Sequence, residues 1–495
     1  MDNEQWAMDN GQWAMSNEQL TTHHSPLTTH MIDLNNIKKI YFIGIGGIGM
    51  SALARYFKFH GKDVSGYDRT ETALTQELVK EGIPVHYDDH VSSAPKDAEL
   101  IVYTPAVPKD HAGLNFYQNN SYAVFKRSDV LGMITSSSFN ICVAGTHGKT
   151  TVSTMVAHVL RHSDFGCNAF LGGIAVNYNT NFWRNKRNVC VIEADEYDRS
   201  FLKLNPDIAV ITSMDPDHLD IYGNAESMQD AFVDFSKKLK PGGLLITKAG
   251  LAREAEFEEK NHLSYSLEND SANVYGYNIR MSQGSYEFDV RMHDWTLENI
   301  VLNMGGKHNV ENALVAISIA HHLGIEDEKI KDAISAFKGV RRRFEYVVKH
   351  RSFVLIDDYA HHPEELRALI SSTKSLFDGW QRTIVFQPHL FTRTRDFVDG
   401  FAEVLDMGDE VILLPIYPAR ELPLEGVDSS LISSKMSNRN VKLLSKPEFL
   451  KYVKDEYVPA MNDASQRVLV MAGAGDIDAM VEQVKEIIGK TTSGL

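Results

Sequence analysis

Short apolar runs alternate along most of the chain with segments that carry apolar residues at helical spacing. The runs are rich in Val, Ile and Phe and are typical of buried strands, whereas the segments between them favour helices. This alternation predicts α/β domains with largely parallel sheets. The predicted strands are residues 40–43, 63–66, 100–103, 139–143, 189–192, 208–212, 353–356, 383–386, 411–414 and 468–471, and the clearest predicted helices are 50–60, 151–161 and 313–323.

Two regions depart from this alternation. Residues 252–304 contain stretches of alternating polar and apolar positions, which predict an antiparallel excursion. Near the start of the chain, the unit at residues 3–9 recurs at 10–16 and begins again at 17. A period of seven can indicate a coiled coil, but these incomplete copies have too few apolar positions. We predict a disordered tail over residues 1–33, with the folded protein beginning near Met31.

A glycine-rich turn lies between the predicted strand at 139–143 and the predicted helix at 151–161. Glycines let the backbone approach phosphate groups, and the first amide groups of a helix attract anions. Lys149 would add a cation near the terminal phosphates and Thr150 a hydroxyl ligand for Mg2+. The usual pattern has an earlier glycine where this chain has Val143, so the loop is a shortened variant, and a plain glycine turn that caps a helix is the alternative. The predicted ATP-binding residues of the loop are Gly145, Thr146, His147, Gly148, Lys149, Thr150 and Thr151.

A second glycine-rich turn follows the predicted strand at 40–43 and is followed, after the next strand, by Asp68. This spacing is that of the dinucleotide fingerprint and by itself predicts a nicotinamide-dependent dehydrogenase. The fingerprint recognises a pyrophosphate beside a ribose, however, so another nucleoside diphosphate compound fits as well. The turn at 104–108 ends another strand and is equally compatible with a structural turn and with a substrate loop. The glycines are Gly44, Gly46, Gly47 and Gly49.

Two polar residues come just after predicted strands of the central region. Glu193 follows the strand at 189–192, and His218 follows the strand at 208–212. Because parallel strands end at one edge of a sheet, we expect both to approach Lys149 and Thr150 and to form a metal site there. A solvated loop carboxylate and an isolated histidine are the alternatives.

The length of the chain suggests more than one domain, since 495 residues are too many for a single core. We predict an α/β fold of three domains. They are a Rossmann-like domain at 34–137, a central P-loop ATPase-type domain with a mixed sheet at 138–340, and a second Rossmann-like domain at 341–495.

Composition narrows the range of functions. The chain is 43% hydrophobic, carries 50 Lys and Arg against 66 Asp and Glu, and has a formal net charge of -16. Without a basic run of the type that binds nucleic acid, this balance argues against nucleic-acid binding. Absence of an apolar stretch near the roughly 20 residues that span a bilayer argues against membrane insertion. Cys142, Cys167 and Cys190 have no Cys-x-x-Cys spacing, so we expect buried free thiols and a cytoplasmic protein.

Seven motifs occur in a fixed order along the chain. They are residues 44–51, 145–151, Glu-Ala-Asp-Glu at 193–196, Asp-His-Leu-Asp at 217–220, His-Asn-Val-Glu-Asn-Ala at 308–313, Arg-Arg-Phe at 342–344 and Asp-Asp-Tyr-Ala-His-His-Pro at 357–363. Together they resemble the Mur ligase family, the ATP-dependent amino-acid ligases of peptidoglycan synthesis, over most of the chain. The first and last motifs resemble most closely the members that add alanine and a relative that recycles wall peptides.

The resemblance implies a substrate for each domain. The N-terminal domain would bind UDP-N-acetylmuramate, the central domain ATP with Mg2+, and the C-terminal domain L-alanine. The implied reaction joins L-alanine to the substrate carboxylate through an acyl phosphate. A cytoplasmic monomer or weak homodimer, without a nucleic-acid or membrane partner, is the expected form.

The resemblance also implies roles for individual residues. Lys149, His218 and Arg343 would act in catalysis, and Thr150, Glu193 and His218 would bind the metal, for which Mn2+ is an alternative because histidine is unusual for Mg2+. Further ATP contacts would come from Asn309, Asn312, Arg343 and Asp358, although the two asparagines could cap a helix instead. The implied alanine-binding residues are Tyr359, His361 and Arg393. The implied UDP-substrate residues are Gly44, Gly46, Gly47, Gly49, Met50, Ser51, Asp68, Thr104 and Ala106.

The chain also departs from the family pattern. Tyr197 and Asp198 follow Glu196 where a serine-aspartate pair is common, and Ala360 replaces a frequent glycine. Leu390 stands where some members have an arginine, which weakens any claim to a two-arginine clamp on the amino acid. Three rival functions remain at this point: a ligase for a wall tripeptide, a nicotinamide-dependent dehydrogenase and a nucleotide-binding regulator without enzymatic activity.

Overall fold

The structure is a computed structural model that describes residues 33–216, 219–257, 261–282, 284–419, 421–461 and 466–492. Three β-sheets follow one another within the unit Ile37–Leu495. Ahead of this unit, residues 33–36 form a turn in which the Asn36 N–H donates to the Asp33 carbonyl. Apart from Asp33, the predicted tail at 1–33 lies outside the described residues.

The first sheet belongs to residues 39–126. Its elements and the helix after them are β1 (Lys39–Ile43), α1 (Ile48–Phe59), β2 (Asp63–Tyr67), α2 (Ala73–Lys80), β3 (Val85–His86), β4 (Leu100–Tyr103), α3 (Ala112–Asn119), β5 (Val124–Lys126) and α4 (Arg127–Thr135). All five strands are parallel, in the order β3-β2-β1-β4-β5. The order reverses direction between β1 and β4, so the loops after these strands open onto one crevice.

The second sheet is mixed and has ten strands. Its elements and the helices beside them are β6 (Phe139–Ala144), α5 (Lys149–His162), β7 (Asn168–Ala175), β8 (Thr180–Trp183), β9 (Val189–Glu193), β10 (Ile208–Ile211), α6 (Leu219–Tyr222), α7 (Ala225–Ser236), β11 (Leu244–Lys248), β12 (His262–Ser266), β13 (Val274–Ser282), β14 (Ser285–Met292), β15 (Trp295–Leu302), α8 (Lys307–His322) and α9 (Asp327–Ala336). The order is β15-β14-β13-β12-β11-β10-β6-β9-β7-β8. The pairs β13–β14, β14–β15 and β7–β8 are antiparallel, and the other neighbours are parallel.

The third sheet has six strands. Its elements are β16 (Glu345–Lys349), β17 (Phe353–Asp358), α10 (Pro363–Leu376), β18 (Gln381–Phe386), α11 (Phe391–Asp396), α12 (Val398–Leu405), β19 (Glu410–Leu413), α13 (Ser429–Lys435), β20 (Val441–Leu443), α14 (Lys446–Tyr452), β21 (Arg467–Ala472) and α15 (Asp478–Thr492). The order is β16-β17-β21-β18-β19-β20, and the β16–β17 pair is antiparallel within this otherwise parallel sheet.

Every strand predicted from apolar runs is present, and the predicted α/β class is confirmed. The predicted excursion at 252–304 is antiparallel from β13 onward, but β12 pairs in parallel with both of its neighbours. Helix α8 begins at Lys307, ahead of the predicted start at 313. The hairpin β7–β8 was not predicted. It lies at one edge of the central sheet and contributes to the site described below.

One continuous apolar cluster joins the second and third sheets. It contains Val143 and Val210 of the central sheet, Ile356 of the third, and Phe344 and Phe377 between them. In the part of the chain that the structure describes, no helix combines the length and apolar character needed to cross a membrane.

Candidate active site

The glycine-rich loop of the central domain connects β6 to α5. Because β6 lies between the parallel strands β9 and β10, the carboxyl ends of all three meet at one edge. Gly148, the N-cap of α5, has φ of 82° and Gly145 has φ of 134°, a region that favours glycine. A Cβ added to Gly145 would lie 2.1 Å from Thr212 Oγ1. The shortened loop therefore has its close-approach glycine at 145, whereas Val143 is a strand residue.

Two residues just after β10 hold this loop in shape. Ser213 Oγ accepts from the His147 N–H at 2.7 Å, and the Ser213 carbonyl accepts from the Thr146 N–H at 3.3 Å. Thr212 Oγ1 donates to the Ala144 carbonyl at 3.1 Å and also to the His147 carbonyl. These hydrogen bonds within the protein hold the loop in its conformation. Neither residue was singled out from sequence, and their position after a strand of the same sheet is the signal that could have identified them.

Lys149 is the first residue of α5, and its ammonium group is held by a buried carboxylate. Nζ donates to the Gly145 carbonyl at 2.7 Å and lies 2.8 and 2.7 Å from the two carboxylate oxygens of Glu196. Burial raises the pKa of Glu196, and the charge of Lys149 opposes that rise. Glu196 and the Gly145 carbonyl thus hold the ammonium group beside the loop. Glu196 is not among the site residues predicted from the sequence.

Thr150 and Glu193 meet, as expected from the parallel strands. Thr150 Oγ1 donates to Glu193 Oε1 at 2.9 Å, and the Gly172 N–H donates to Glu193 Oε2 at 2.9 Å. Burial raises the pKa of Glu193, while the Lys149 charge and the Thr150 hydrogen bond lower it. The alternative of a freely solvated loop acid is therefore wrong. A hydroxyl and a carboxylate are oxygen ligands of the kind that Mg2+ prefers. The other predicted ligand, His218, lies outside the described residues.

The two asparagines of α8 lie beside the phosphate loop. The N-cap of α8 is Gly306, so neither asparagine is the residue that caps this helix. Asn309 Nδ2 donates to the Gly305 carbonyl at 2.6 Å, and Asn312 Nδ2 donates to Asn309 Oδ1 at 3.0 Å. A Cβ on Gly148 would lie 3.1 Å from Asn312 Oδ1. Both amides are thus buried next to the loop, and their contact with adenine remains a prediction.

The glycine turn of the first domain is braced by Asp68. The Gly46 N–H donates to Asp68 Oδ2 at 2.7 Å, so this carboxylate supports the turn. A Cβ on Gly44 would lie 2.8 Å from Thr104 Cγ2, which puts the two loops on the same crevice. The Ala106 N–H reaches Thr104 Oγ1 at 3.5 Å. A contact between Asp68 and a ribose remains a prediction.

Ser51 points into the boundary between the first two domains. Its hydroxyl donates to the Ile48 carbonyl at 2.8 Å and accepts from Asn181 Nδ2 at 3.1 Å. Asn181 is fully buried on β8 and also accepts from Arg55. Met50, next to Ser51, is 1% exposed. Asn181 was not found from sequence, because nothing in the residues around it predicts a strand against α1.

A cavity of about 230 Å³ joins the glycine turn to the central sheet. Residues 47–50 line one side, and Gly172 and Glu193 line the other, together with Arg127 and Asp195. The predicted UDP-substrate loop and the predicted metal ligand Glu193 therefore border the same space.

The segment with Arg343 and Phe344 is seated against the loop that begins α8. A Cβ on Gly305 would lie 1.9 Å from Phe344 Cε1, which shows how closely the ring packs on this loop. Asp358 Oδ2 accepts from the Phe344 N–H and Oδ1 from the Ala360 N–H, each at 2.7 Å. Burial raises the pKa of Asp358, and these bonds oppose the rise. Asp358 therefore supports the backbone beside the exposed Arg343 side chain, and direct contact of either residue with ATP remains a prediction.

The three residues predicted to bind the amino acid cluster beyond β17 and β18. His361 Nδ1 lies 3.0 Å from the Tyr359 carbonyl, and Arg393 Nη1 lies 3.3 Å from His389 Nδ1. The rings of His361 and His389 are 5.9 Å apart between centroids. Burial and the Arg393 charge lower the pKa of His389 to about 4, so its neutral ring can accept a hydrogen bond from Arg393. His389 was missed, although its place before α11 at the end of β18 marks it.

Leu390 is strained at the edge of this cluster. Its φ is 72°, which is unfavourable for a branched side chain, and its N–H donates to the Tyr417 carbonyl at 2.9 Å. The side chain adds no charge beside Arg393. The weakened case for a two-arginine clamp on the amino acid rests on that difference.

Comparisons with known proteins match all three parts of the chain to one family. The chain matches the families described as Mur ligase family, catalytic domain, at residues 39–138, Mur ligase middle domain at 143–320, and Mur ligase, glutamate ligase domain, at 342–478. The UDP-N-acetylmuramate–L-alanine ligase of Flavobacterium johnsoniae is 44% identical over 463 residues, which cover 93% of this chain and 100% of that protein.

Solved structures agree with the sequence matches. The UDP-N-acetylmuramate-alanine ligase of Thermotoga maritima has a TM-score of 0.77 and 28% identity, and the match covers 92% of this chain and 99% of that one. A murein peptide ligase of Psychrobacter arcticus, at 20% identity and a TM-score of 0.64 over 91% and 99% of the two chains, shares the fold. Since the sequence match extends over nearly the full length of both proteins, the chain belongs to the Mur ligase family.

Proposed function

We propose that this protein joins L-alanine to the carboxylate of UDP-N-acetylmuramate with ATP, forming UDP-N-acetylmuramoyl-L-alanine, ADP and phosphate in peptidoglycan synthesis. The observation that carries the proposal is the cavity that borders both the glycine turn at 47–50 and Glu193. A UDP-linked carboxylate in this cavity would lie beside the phosphate loop. Relatives named as alanine ligases match this chain over nearly their whole length.

The first step transfers a phosphoryl group. A carboxylate oxygen of the substrate attacks the γ-phosphorus of ATP and forms a bond to it. The bond from this phosphorus to the β,γ-bridging oxygen breaks, so that ADP leaves and the substrate carries an acyl phosphate. Both reactants are anions, so the Lys149 ammonium and the loop amide groups must offset their repulsion and stabilise charge in the transition state. Thr150 and Glu193, with His218, would hold Mg2+ or Mn2+, which supplies further positive charge when bound.

The second step forms the amide. The alanine nitrogen attacks the acyl carbon, the carbon–oxygen bond to phosphate breaks, and the amine loses a proton. Arg393 would take the alanine carboxylate, with Tyr359 and His361 beside it, so that the amine faces the acyl phosphate. Arg343 and Asp358 would complete the ATP site, and Asn309 and Asn312 would contact the base.

Each of the three sheets belongs to a region that we assign to one substrate. We assign residues 34–137 to the UDP-linked substrate, 138–340 to ATP and 341–495 to L-alanine. The three cysteines are buried free thiols, which suits the reducing cytoplasm, where we expect a monomer or weak homodimer.

The decisive experiment measures phosphate release with ATP, Mg2+ and UDP-N-acetylmuramate. Three reactions are compared: no amino acid, L-alanine, and the L-Ala-γ-D-Glu-meso-diaminopimelate tripeptide. Release and a product mass that both require L-alanine are expected. A preference for the tripeptide would identify a recycling ligase instead, and absence of release in every reaction, with protein shown to be folded, would reject a ligase function.

A further inference from the structure

Arg127 stands in the wall of the cavity that joins the glycine turn to Glu193. It is the first residue of α4, and its side chain is 20% exposed. A Cβ on Gly49 would lie 2.6 Å from Arg127 Nη1, so the guanidinium lies against the backbone of the glycine turn. On the other side, Nη2 donates to Asp195 Oδ2 at 3.3 Å. The group thus bridges the first domain and the loop after β9.

In the described part of the chain, Arg127 supplies positive charge to a cavity whose other charged lining residues are acids. Among the described residues that line it, Arg127 is the one Lys or Arg, whereas Glu193 and Asp195 are acids. The protein as a whole carries a formal charge of -16, so an anion gains nothing from the overall field. The Gly46 amide of the adjoining turn already donates to Asp68. An anionic substrate that enters here therefore needs the charge of Arg127.

The contact between Arg127 and Asp195 is long and made through one nitrogen. A guanidinium can instead give two parallel hydrogen bonds to a carboxylate or a phosphate, which are shorter and stronger. Asp195 is 39% exposed, so it can return to water when its partner turns away. The geometry therefore favours exchange of Asp195 for a better anionic ligand.

We propose that Arg127 is a substrate-binding residue that donates hydrogen bonds to an anionic oxygen of the UDP-linked substrate. Asp195 pairs with its guanidinium only until the substrate displaces it. This inference rests on the proposed function for the identity of the substrate. The anionic oxygen belongs either to the diphosphate or to the muramyl carboxylate, since both are chemically suitable and the cavity borders both the glycine turn and Glu193.

Calorimetric titration of UDP-N-acetylmuramate into the protein without ATP tests the proposal. Arg127→Met should weaken binding about 10- to 100-fold, the value of a charge-assisted hydrogen-bond pair. Asp195→Asn should leave affinity unchanged or raise it, because it removes the competing anion. Lys126→Met is the matched control: this neighbouring cation pairs with Asp198 at 2.7 Å and does not line the cavity, so affinity should not change.

A purely structural ion pair predicts a different pattern. In that case Arg127→Met and Asp195→Asn would weaken binding equally, and this result would overturn the proposal, as would unchanged affinity in Arg127→Met. Arg127→Lys keeps the charge without the fork and should bind with intermediate affinity. It also provides a readout if the Met variant fails to show a wild-type thermal transition.

Two further ligands identify the anionic oxygen. UDP and UDP-N-acetylglucosamine contain the diphosphate but lack the muramyl carboxylate. Equal weakening of all three ligands in Arg127→Met assigns the diphosphate, and weakening of UDP-N-acetylmuramate alone assigns the carboxylate. If the wild-type protein binds none of the three, the proposal fails.

Parallel phosphate-release assays separate this proposal from the function itself. Wild-type protein that makes the alanine product while Arg127→Met binds normally would reject only the role of Arg127. Wild-type protein that binds UDP-N-acetylmuramate through Arg127 but releases no phosphate would reject the ligase function and keep the binding site.

Discussion

The ion pair between Lys149 and Glu196 should contribute both to the stability of the protein and to phosphoryl transfer. The side chains are 15% and 1% exposed. Lys149→Met should lower the rate of phosphate release by about 10²–10³-fold, since it removes a charge aimed at the transferred phosphoryl group. It should also destabilise the protein by roughly 3–5 kcal/mol, because the buried Glu196 carboxylate loses the opposing charge of Lys149. Phosphate-release kinetics and urea unfolding measure the two effects.

The double variant Lys149→Met/Glu196→Gln separates these effects. Glutamine needs no counter-ion, so stability should recover while activity stays low. If activity recovered with stability, the loss in the single variant would come from unfolding, and Lys149 would have no direct part in phosphoryl transfer.

Asp357 gives a prediction for pH at the scale of a single side chain. Burial raises its pKa from 3.8 to about 8, against the opposing charge of Arg342. Between these two pKa values the folded state holds a proton that the unfolded state releases. The contribution of this proton to the free energy of unfolding is therefore complete below about pH 4 and is lost as pH rises through about 8. Asp357→Asn cannot ionise and should flatten the fall in the free energy of unfolding over this range, measured by urea denaturation. Asp399→Asn, at a side chain 81% exposed, should leave the slope unchanged.

Contacts between single residues were predictable only where strand direction determined them. The meeting of Thr150 and Glu193 follows from two parallel strands that end together, which the apolar runs already indicate. The bonds of Lys149 to Glu196 and of Arg393 to His389 depend on how each loop turns after its strand. Hydrophobic periodicity carries no information on that turn.

At the scale of elements, the hairpin β7–β8 shapes the proposed metal site through one glycine. A Cβ on Gly172 would lie 2.3 Å from the Glu193 carboxylate. Gly172→Ala should therefore displace Glu193 and raise the Mg2+ concentration for half-maximal activity, by roughly 10- to 100-fold as for other supports of metal ligands. Titration of activity with Mg2+ measures the change. Gly489→Ala, in α15 with open space around it, is the control and should leave the Mg2+ dependence unaltered.

The same hairpin is one of the elements that the sequence pattern failed to predict. Gly172 and Gly173 interrupt the apolar run of β7, and the pairing register with β8 shifts between Phe170 and Ala175. Within this irregular stretch the Gly172 N–H donates to Glu193 Oε2, so the part of the strand that breaks the alternation also contacts the candidate site. Every strand that was predicted from an apolar run is present, but the short buried run of β11 was missed as well.

At the scale of the whole molecule, Phe344 joins the central and C-terminal sheets. It is 3% exposed and packs on Gly305 at the start of α8. Phe344→Ala should cost about 3–5 kcal/mol and weaken the coupling between the two sheets. Calorimetric unfolding should then show a lower and broader transition, and the KM for ATP should rise because Arg343 is adjacent. Phe397→Ala, at a side chain 43% exposed, should change neither measurement substantially. A transition as sharp as that of the wild type would contradict this role for Phe344.

Domain order could be predicted from sequence, but domain contacts could not. Each sheet has its own set of apolar runs and its own motif, so the three units are visible along the chain. The contacts between them come from isolated side chains such as Asn181 and Phe344, whose partners are distant in sequence. No local pattern identifies those partners.

Helix α1 of the first domain packs on the hairpin β7–β8 of the second, where Tyr56 contacts Phe170 and Phe182. These two phenylalanines are 5% and 7% exposed, and Tyr56 of that helix covers part of their surface. In a central domain produced alone, Phe170 and Phe182 would form a solvent-exposed apolar patch beside the outer edge of β8, which would favour aggregation. Efforts to dissect the enzyme into separately soluble pieces should therefore keep the first two domains together.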